Sequence, residues 1–259
     1  MLPSALEHLG EIAGASDGSL AVFLDYDGTL TPIVSDPKKA LLSASMQQTL
    51  QALTGQASVA ILSGRDLDDV RPRVNIAAIT YAGSHGFEIS GPGGLRKEVA
   101  TEFLPKLDTV ENELGKQLAG ISGARVERKR FSIAVHYRQV SENNLPKLER
   151  AVTEVAARHR ELRRMEGKKV YELLPDTDWD KGKAVLWLLE RLDLKRAKVR
   201  PLYVGDDRTD EDAFRALAPS GIGILVSEHP RSTAASYSLR DPTEVERFLR
   251  ELVLITRHE

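Results

Sequence analysis

The sequence predicts an α/β fold, with a Rossmann-like parallel-sheet core and a small α/β domain inserted into it. Short apolar runs end in polar clusters, and helical patterns separate those runs. Strands that alternate with helices form a parallel sheet with helices on its faces. The pattern becomes more charged near residue 100 and returns to its first form near residue 176. We therefore expect a discontinuous core over residues 1–100 and 176–259, and an inserted domain over residues 101–175.

The composition is typical of a soluble globular chain. Of its 259 residues, 41% are apolar and 29% are charged, and the chain is long enough to bury a substantial core. The net charge of −2 provides no general attraction to nucleic acid or to anionic membranes. The absence of cysteine excludes disulfides and thiolate sites, and it is compatible with the expected cytoplasmic location. We expect neither a secretory signal nor a membrane-spanning segment.

The first part of the core is expected to alternate between helices and strands. The expected helices are 3–13, 45–53 and a short segment at 67–70, and the expected strands are 22–24, 58–62 and 77–82. Each of these strands is a short apolar run, which is typical of a strand buried in a parallel sheet. Pro72 is expected to interrupt the third helix. Segment 86–99 has the turn residues of a β-hairpin.

The insert combines charged amphipathic helices with strands. The expected helices are 102–118 and 144–162, and the expected strands lie within 124–140 and 168–174. Four alternating residues of the first strand region share one face: Phe131, Ile133, Val135 and Tyr137. We interpret the basic segment 158–164 as a solvated helix end, because it lacks the interleaved aromatic residues of a nucleic-acid site.

The core pattern resumes after the insert. The expected strands are 202–204 and 222–226, and the expected helices are 180–192, a helix that starts near Asp210, and 243–253. Pro242 is well suited to the first position of the last helix, because its fixed φ matches helical geometry.

Two aspartates close the first strand. Alternation along an extended chain points Asp25 and Asp27 to the same side, where two carboxylates repel each other and resist desolvation. A divalent cation would relieve both effects. Gly28 permits a tight turn, and the backbone N–H groups with the Thr29 hydroxyl are suited to hold an anion. The same Asp-x-Asp-Gly pattern also occurs in ordinary turns and calcium loops, but the glycine spacing and closing glutamate of an EF-hand are missing.

Polar clusters follow three of the expected strands at the edge where parallel sheets bind ligands. They are Asp25-x-Asp27, Ser63-Gly64-Arg65 and Gly205-Asp206-Asp207. Each of the last two is also ordinary helix-capping chemistry, and a single lysine such as Lys181 is usually solvated. Together and in this order, they indicate one site for a metal, a nucleophilic carboxylate and a phosphoryl group.

Four segments resemble the motifs of the haloacid dehalogenase superfamily of phosphotransferases: LDYDGTL (24–30), SGR (63–65), KG (181–182) and GDDRTDEDAF (205–214). The insert is similar to the C2-type cap of that superfamily. Three further segments resemble the trehalose-6-phosphate phosphatases: GSHGFE (83–88), VHYR (135–138) and DWDKGKAV (178–185). The resemblance implies a Mg²⁺-dependent phosphatase that converts trehalose 6-phosphate to trehalose and phosphate through an aspartyl-phosphate.

The resemblance also implies roles for individual residues. Asp25 is the expected nucleophile, and Asp27 is the expected general acid and base. Asp25, the backbone carbonyl of Asp27 and Asp206 are expected to bind Mg²⁺, while Asp207 and Asp210 order its waters. The expected phosphate contacts are Thr29, Ser63, Gly64 and Lys181.

The expected sugar contacts lie mainly in the insert, because the four motifs reach only the phosphate. The resemblance assigns Glu127, Lys129 and Glu172 to the distal glucose, and it places Arg65, His85 and Glu88 in core loops near the substrate or the closed cap. Segment 127–130 can also be read as an exposed strand edge, and His85 as a structural histidine. Leu174 stands where relatives commonly carry a basic residue.

Other functions compete with this interpretation. The same core serves other sugar phosphatases, such as a sucrose-phosphate phosphatase. A phosphoaspartate receiver also clusters aspartates and a lysine, but receivers are about half this length and lack an inserted cap. The intact motif residues argue against an inactive regulatory subunit of a trehalose-synthesising assembly. The expected partner is a small sugar phosphate rather than nucleic acid or membrane, and the sequence is compatible with a monomer.

Overall fold

A computed structural model describes residues 2–14, 20–34, 36–167, 169–192, 194 and 199–256. The chain divides into two compact units: a first unit of Met1–Lys97 with Trp179–Glu259, and a second unit of Glu98–Asp178. In the described part of the chain, no helix has both the length and the apolar character needed to cross a membrane.

The described strands and helices alternate along much of the chain. The strands are β1 (Leu20–Asp25), β2 (Ala57–Leu62), β3 (Thr80–Gly83), β4 (Glu88–Ser90), β5 (Arg96–Glu98), β6 (Arg125–Lys129), β7 (Ser132–His136), β8 (Leu162–Gly167), β9 (Val170–Pro175), β10 (Arg200–Gly205), β11 (Ile222–Val226) and β12 (Tyr237–Leu239). The α-helices are α1 (Leu9–Gly14), α2 (Ala44–Leu53), α3 (Leu67–Val74), α4 (Leu104–Leu118), α5 (Leu145–Arg158), α6 (Lys181–Arg191), α7 (Asp210–Leu217) and α8 (Pro242–Thr256).

The first unit is built on an eight-stranded sheet with the order β12-β11-β10-β1-β2-β3-β4-β5. The strands from β12 to β3 pair in parallel, and β4 turns back antiparallel to β3. All six residues of β1 are buried between β10 and β2. A strand covered on both faces needs a continuous apolar run, which is why β1 is readable in the sequence.

Two apolar layers cover the faces of this sheet. Val22 and Leu24 of β1 pack into the layer that contains α2, α3 and α8, where Leu50 and Phe248 are fully buried. Ala21 and Phe23 point the opposite way, into the layer formed with α6 and α7. The alternation of β1 therefore ties both helical layers to the strand that carries Asp25.

The second unit is a four-stranded antiparallel sheet with the order β6-β7-β9-β8. Ile133, Val135 and Leu173 pack from one face of this sheet against buried residues of α4 and α5, such as Leu114 and Val152. The helices thus cover one face of the sheet, and the residues that alternate with this core belong to the other face.

The basic segment 158–164 differs from the sequence expectation. Helix α5 ends at Arg158, and the chain enters strand β8 at Leu162, which is 4% exposed. Strand β8 pairs antiparallel with β9 at the edge of the sheet. Charged side chains are tolerated on an edge strand, and they discourage pairing with other molecules. The prediction of a solvated helix end over 158–164 was therefore wrong for its last residues, because an exposed edge strand can be as highly charged as a helix end.

Helix α3 continues through Pro72 to Val74 instead of stopping before the proline. Pro72 has no N–H group, so the helix lacks one backbone hydrogen bond at this position. Val70 and Val74 on either side of it are completely buried, and this packing holds the helix together. The helix ends at Asn75, which adopts the left-handed conformation with φ 53°.

The N-terminal segment also differs from expectation. Helix α1 begins at Leu9 rather than at residue 3. Ser4 forms a β-bridge to Ser238, and the Ala5 N–H donates to the Ser238 carbonyl at 3.0 Å. These bonds hold Ser4 and Ala5 beside β12, a strand that the sequence pattern did not indicate, and residues 5–8 form turns before α1 begins.

Gly182 provides a test of the packing between α6 and α7. A Cβ atom at Gly182 would lie 2.4 Å from the Asp212 carbonyl oxygen, so Gly182→Ala should lower the free energy of unfolding by about 1–3 kcal/mol. Gly10→Ala in α1 is the control, because no atom lies within 4 Å of its Cβ position, and it should change the free energy by at most about 1 kcal/mol. Urea denaturation measures both, and equal stability of the two variants would contradict the close approach.

Candidate active site

The turn after β1 brings backbone and acidic side chains close together. The Gly28 N–H donates to the Thr31 carbonyl at 2.7 Å, and the Tyr26 carbonyl accepts from the N–H groups of Leu30 and Thr31. Gly28 has φ +93°, and a Cβ atom there would lie 2.2 Å from Asp206 Oδ2. Only glycine suits both the left-handed backbone and this close approach. The turn therefore lets the Asp206 carboxylate pack directly against the loop that follows Asp25.

A buried lysine joins two carboxylates from different elements. Lys181 Nζ donates to Asp25 Oδ1 and to Asp210 Oδ1, both at 2.7 Å, and only 2% of the Lys181 side chain is exposed. The Tyr203 hydroxyl also donates to Asp210 Oδ1 at 2.7 Å. Lys181 opens α6, Asp210 opens α7 and Asp25 ends β1. The triad thus fastens three core elements at one edge of the sheet.

Burial and charge act in opposite directions on this triad. Burial disfavours the charge of Lys181, but Asp210 and Asp25 outweigh that effect and raise the pKa of Lys181 well above its usual value. Burial raises the pKa of Asp25 well above its usual range, Lys181 opposes this, and Asp210 and Asp206 add to the rise. An ammonium between two carboxylates remains protonated, so we treat Lys181 as charged.

The acidic residues around Lys181 fit a divalent cation. Carboxylate oxygens of Asp25, Asp206 and Asp210 all lie within 4.8 Å of one another. Three carboxylates and one ammonium leave two negative charges, which one Mg²⁺ would neutralise, and hard oxygen donors are the ligands that Mg²⁺ prefers. Asp210 accepts from Lys181, from Tyr203 and, through Oδ2, from the Asp207 N–H at 2.8 Å. These bonds leave Asp25 and Asp206 better suited than Asp210 to direct contact with a metal.

Arg231 supports the loop that carries Asp206, and the sequence reasoning did not identify it. Its Nη1 donates to the Asp206 carbonyl at 2.8 Å, and its Nη2 donates to the Asp207 carbonyl at 3.3 Å. Arg231 also lies 3.8 Å from Glu211 Oε1. The residue belongs to the loop after β11 and to none of the recognised motifs. The one sequence feature that could have indicated Arg231 is its position after a core strand, at the carboxyl end where ligands bind.

Ser63 lies beside Asp25 at the same edge. Asp25 pairs with Leu62 across β1 and β2, and Ser63 follows directly. Ser63 is 1% exposed, and its Oγ accepts from the Arg65 N–H at 3.1 Å. Its carbonyl accepts from the His85 N–H at 2.8 Å. The second and first motif segments are therefore neighbours in the sheet.

The remaining core residues of the expected site take specific positions around this edge. A Cβ atom at Gly64 would lie 2.7 Å from His85 Cε1, so the imidazole packs onto the glycine. Thr29 is fully buried, and no described residue is a hydrogen-bond partner of its hydroxyl. Glu88 is 4% exposed, and the Ser84 hydroxyl donates to it at 3.4 Å. The side chain of Asp207 accepts from the Arg208 N–H at 2.6 Å.

Arg65 binds the side chain of Asp27. Its Nε donates to Asp27 Oδ2 and its Nη2 donates to Asp27 Oδ1, both at 2.7 Å. The guanidinium thus makes two parallel hydrogen bonds to the two oxygens of one carboxylate, a bidentate geometry that we call the fork. It is the strongest geometry for an arginine–carboxylate pair. The structure therefore places Asp27 in contact with Arg65, while Asp25 contacts Lys181.

In the second unit, the three expected sugar residues share the sheet face opposite the helices. Glu127 is the cross-strand partner of Ala134, and Ala134 is in turn the partner of Glu172. Lys129 Nζ donates to Glu172 Oε1 at 2.9 Å, and the Ser132 hydroxyl donates to the same oxygen at 2.6 Å. This face therefore presents a connected set of donors and acceptors.

His136 and Leu174 complete the description of this face. His136 Nε2 donates to Glu127 Oε2 at 2.6 Å, and this hydrogen bond lowers the pKa of Glu127. His136 lies in the VHYR segment, which was noticed in the sequence but received no role. Leu174 is 1% exposed and pairs with Arg163 of β8. A basic residue, Arg163, is thus the cross-strand neighbour of Leu174.

A sequence model described as trehalose-phosphatase matches residues 23–243 of the chain. The chain belongs to the trehalose-phosphatase family. Trehalose-phosphate phosphatase B of Arabidopsis thaliana is 43% identical over 265 residues, which cover 97% of this chain and 71% of that protein. The resemblance seen in the motifs is confirmed by these matches.

Solved structures confirm the expected fold class. The C-terminal domain of C. albicans trehalose-6-phosphate phosphatase superposes with a TM-score of 0.83 at 24% identity, over 98% of this chain and 99% of that chain. A haloacid dehalogenase-like hydrolase from Bacteroides thetaiotaomicron has a TM-score of 0.66 at 16% identity, over 90% and 99% of the two chains. The trehalose-phosphatase family member described here therefore has the α/β fold of the haloacid dehalogenase superfamily.

Removal of the buried ammonium should destabilise the first unit. Lys181→Met leaves Asp25 and Asp210 buried without their cation, and the loss in unfolding free energy should reach about 3–5 kcal/mol in metal-free buffer. Lys183→Met on the same helix, where the side chain is partly exposed, should cost less than about 1 kcal/mol.

Addition of Asp210→Asn to the Lys181→Met variant tests the charge explanation. The asparagine removes one uncompensated carboxylate, so the double variant should be more stable than Lys181→Met alone. Urea denaturation of the parent protein, Lys181→Met, Asp210→Asn and the double variant provides the comparison. A double variant that loses the sum of both single effects would show that packing, rather than charge, holds the triad.

Proposed function

We propose that the chain is a Mg²⁺-dependent phosphatase that hydrolyses trehalose 6-phosphate to trehalose and inorganic phosphate. The observation that carries the proposal is the buried contact of Lys181 with Asp25 at 2.7 Å, beside Asp206, in a chain of the trehalose-phosphatase family. A nucleophilic carboxylate, a fixed cation and a metal-binding carboxylate are the groups that phosphoryl transfer to an aspartate needs.

In the proposed first half-reaction, a carboxylate oxygen of Asp25 attacks phosphorus. A bond forms between phosphorus and Asp25, and the bond between phosphorus and the sugar oxygen breaks. Asp27 gives its proton to that departing oxygen, because a sugar alkoxide is a poor leaving group. Lys181 and the hydroxyl groups of Ser63 and Thr29 offset the charge on the phosphoryl oxygens.

In the proposed second half-reaction, a water molecule attacks the phosphorus of the aspartyl-phosphate. Asp27 takes a proton from this water, the bond between phosphorus and Asp25 breaks, and phosphate leaves. Both aspartates return to their starting protonation states. The same residue therefore acts as acid in one half and as base in the other.

The proposed metal ligands are Asp25, the backbone carbonyl of Asp27 and Asp206. When bound, Mg²⁺ supplies positive charge that reduces the repulsion between the Asp25 carboxylate and the anionic phosphate. Asp210 holds Lys181 and the Asp207 N–H, and Arg231 holds the loop of Asp206. In the proposal, Asp210 and Arg231 therefore position the metal ligands and do not bind the metal themselves.

We assign sugar recognition to the polar sheet face of the second unit. Sugar hydroxyls both donate and accept, and the pairs Glu127–His136 and Lys129–Glu172 offer both kinds of group. Because these side chains are already held by one another, little further ordering is required when a sugar binds. We also propose a cytoplasmic location and no nucleic-acid partner, in line with the absence of cysteine and the net charge of −2.

A phosphate-release screen over sugar phosphates tests the proposed function. Trehalose 6-phosphate should have the highest kcat/KM, ahead of sucrose 6-phosphate and glucose 6-phosphate. A chelator should abolish turnover, and added Mg²⁺ should restore it. Asp25→Asn should reduce kcat by several orders of magnitude, because it removes the nucleophile. Equal rates on all sugar phosphates would overturn the trehalose assignment, and full activity in chelator would overturn the metal assignment.

Glu127→Ala tests the sugar site. Loss of the carboxylate should raise KM for trehalose 6-phosphate about tenfold or more, because a lost charged hydrogen bond is worth about 1.5–3 kcal/mol. The kcat/KM for 4-nitrophenyl phosphate should be nearly unchanged, since this ester has no sugar. Glu113→Ala in helix α4 of the same unit is the control and should leave both values unchanged. An equal loss on both substrates would contradict a role in sugar binding.

A further inference from the structure

Arg65 has an unusually complete set of contacts with the protein. Beyond its two bonds to Asp27, its Nη1 donates to Asp69 Oδ2 at 2.7 Å and its Nη2 donates to the Pro37 carbonyl at 2.9 Å. Its guanidinium carbon lies 5.5 Å from the centroid of the Tyr26 ring. All three guanidinium nitrogens therefore donate to protein acceptors, and only 11% of the Arg65 side chain is exposed.

The group that anchors Arg65 is itself fixed. Arg73 donates from Nε to Asp69 Oδ1 at 2.8 Å, and its Nη1 donates to the Lys38 and Ala40 carbonyls. An arginine guanidinium stays protonated in proteins, and the carboxylates of Asp27 and Asp69 both face that of Arg65 at 2.7 Å. Arg65 is thus a permanently charged bidentate donor, and Asp69 and Arg73 hold it in place.

The fork determines where the Asp27 carboxyl group lies. A single hydrogen bond leaves a carboxylate free to rotate, whereas two parallel bonds from one guanidinium fix both its position and its plane. Asp27 is 39% exposed and lies on a turn, so packing alone constrains it little. A general acid must keep its carboxyl within hydrogen-bond reach of the leaving oxygen.

We propose that Arg65 is a positioning residue for Asp27, and that it acts on the reaction through Asp27 rather than by contact with the sugar. This inference rests on the proposed function, in which Asp27 exchanges protons with the sugar oxygen and with water. One of the two bonds can hold the carboxyl group while the other oxygen exchanges the proton. Direct substrate contact, the role expected from the sequence, would require Arg65 to give up bonds to Asp27, Asp69 or Pro37.

Leaving-group dependence tests this role. We would measure a series of phosphate monoesters without sugar, from an alkyl phosphate through phenyl phosphate to 4-nitrophenyl phosphate. Nitrophenolate leaves without a proton, whereas an alkoxide needs one. With Arg65→Gln, the first-turnover rate on the alkyl ester should fall roughly 100-fold, the cost of a misplaced catalytic group, while that on 4-nitrophenyl phosphate should fall less than threefold.

Three further variants separate the possible explanations. Arg65→Lys keeps the charge and loses the fork, so it should share most of the alkyl-ester defect, and it also serves if Arg65→Gln does not fold. Arg65→Gln in an Asp27→Asn background should lower kcat no further than Asp27→Asn alone. Arg71→Gln, on the exposed side of α3, is the matched arginine control and should leave the leaving-group dependence as in the parent protein.

The outcomes distinguish this inference from the proposed function. An equal loss on every ester, or a raised KM for trehalose 6-phosphate with unchanged kcat, would overturn the positioning role. A steeper leaving-group dependence in Arg65→Gln would support it. If the parent protein hydrolysed the simple esters but not trehalose 6-phosphate, the proposed substrate would fail while the leaving-group result on Arg65 would still stand.

Discussion

The buried ammonium of Lys181 constrains the whole first unit. A charge that is 2% exposed is tolerated only if opposite charges meet it with good geometry, and here Asp25 and Asp210 do so at 2.7 Å each. Lys181 is 156 residues from Asp25 in the chain. Strand β1 and helices α6 and α7 must therefore assemble together, or the charges remain uncompensated. The close approach at Gly182 and the turn at Gly28 serve the same requirement.

Two ion-pair systems lie at the edge of the parallel sheet, and their environments differ. The Lys181 system is buried and joins helices to the central strand. The Arg65 system is partly exposed, and it joins Asp27 to Asp69 and to the Pro37 carbonyl. In the proposed function, a rigid, buried pair suits Asp25, because a nucleophile must stay in one place. A supported but accessible carboxyl suits the role proposed for Asp27, which is to exchange protons with both substrate and water.

The second unit shows how charged residues can be arranged before a ligand arrives. Its helices cover one face of the antiparallel sheet, and the other face holds Glu127, Lys129, His136 and Glu172 in hydrogen-bonded pairs. The alternation of side chains along each strand is enough to place the apolar residues on one face and these polar residues on the other. In the proposed function, phosphate chemistry and sugar recognition are thus carried by different parts of the chain, since the motifs around Asp25 belong to the first unit.

The sequence by itself determined the fold class, most of the buried strands and the residues that gather at the sheet edge. Apolar runs and strand-end clusters are local patterns, so they are readable without a structure. Only the tertiary structure decided the partner of each charge, such as Arg65 for Asp27, Arg231 for the Asp206 loop and His136 for Glu127. It also decided that 162–167 is a strand and that α3 passes through Pro72. The physical reason is that hydrogen bonds and burial depend on which distant segments meet, and a local pattern does not contain that information.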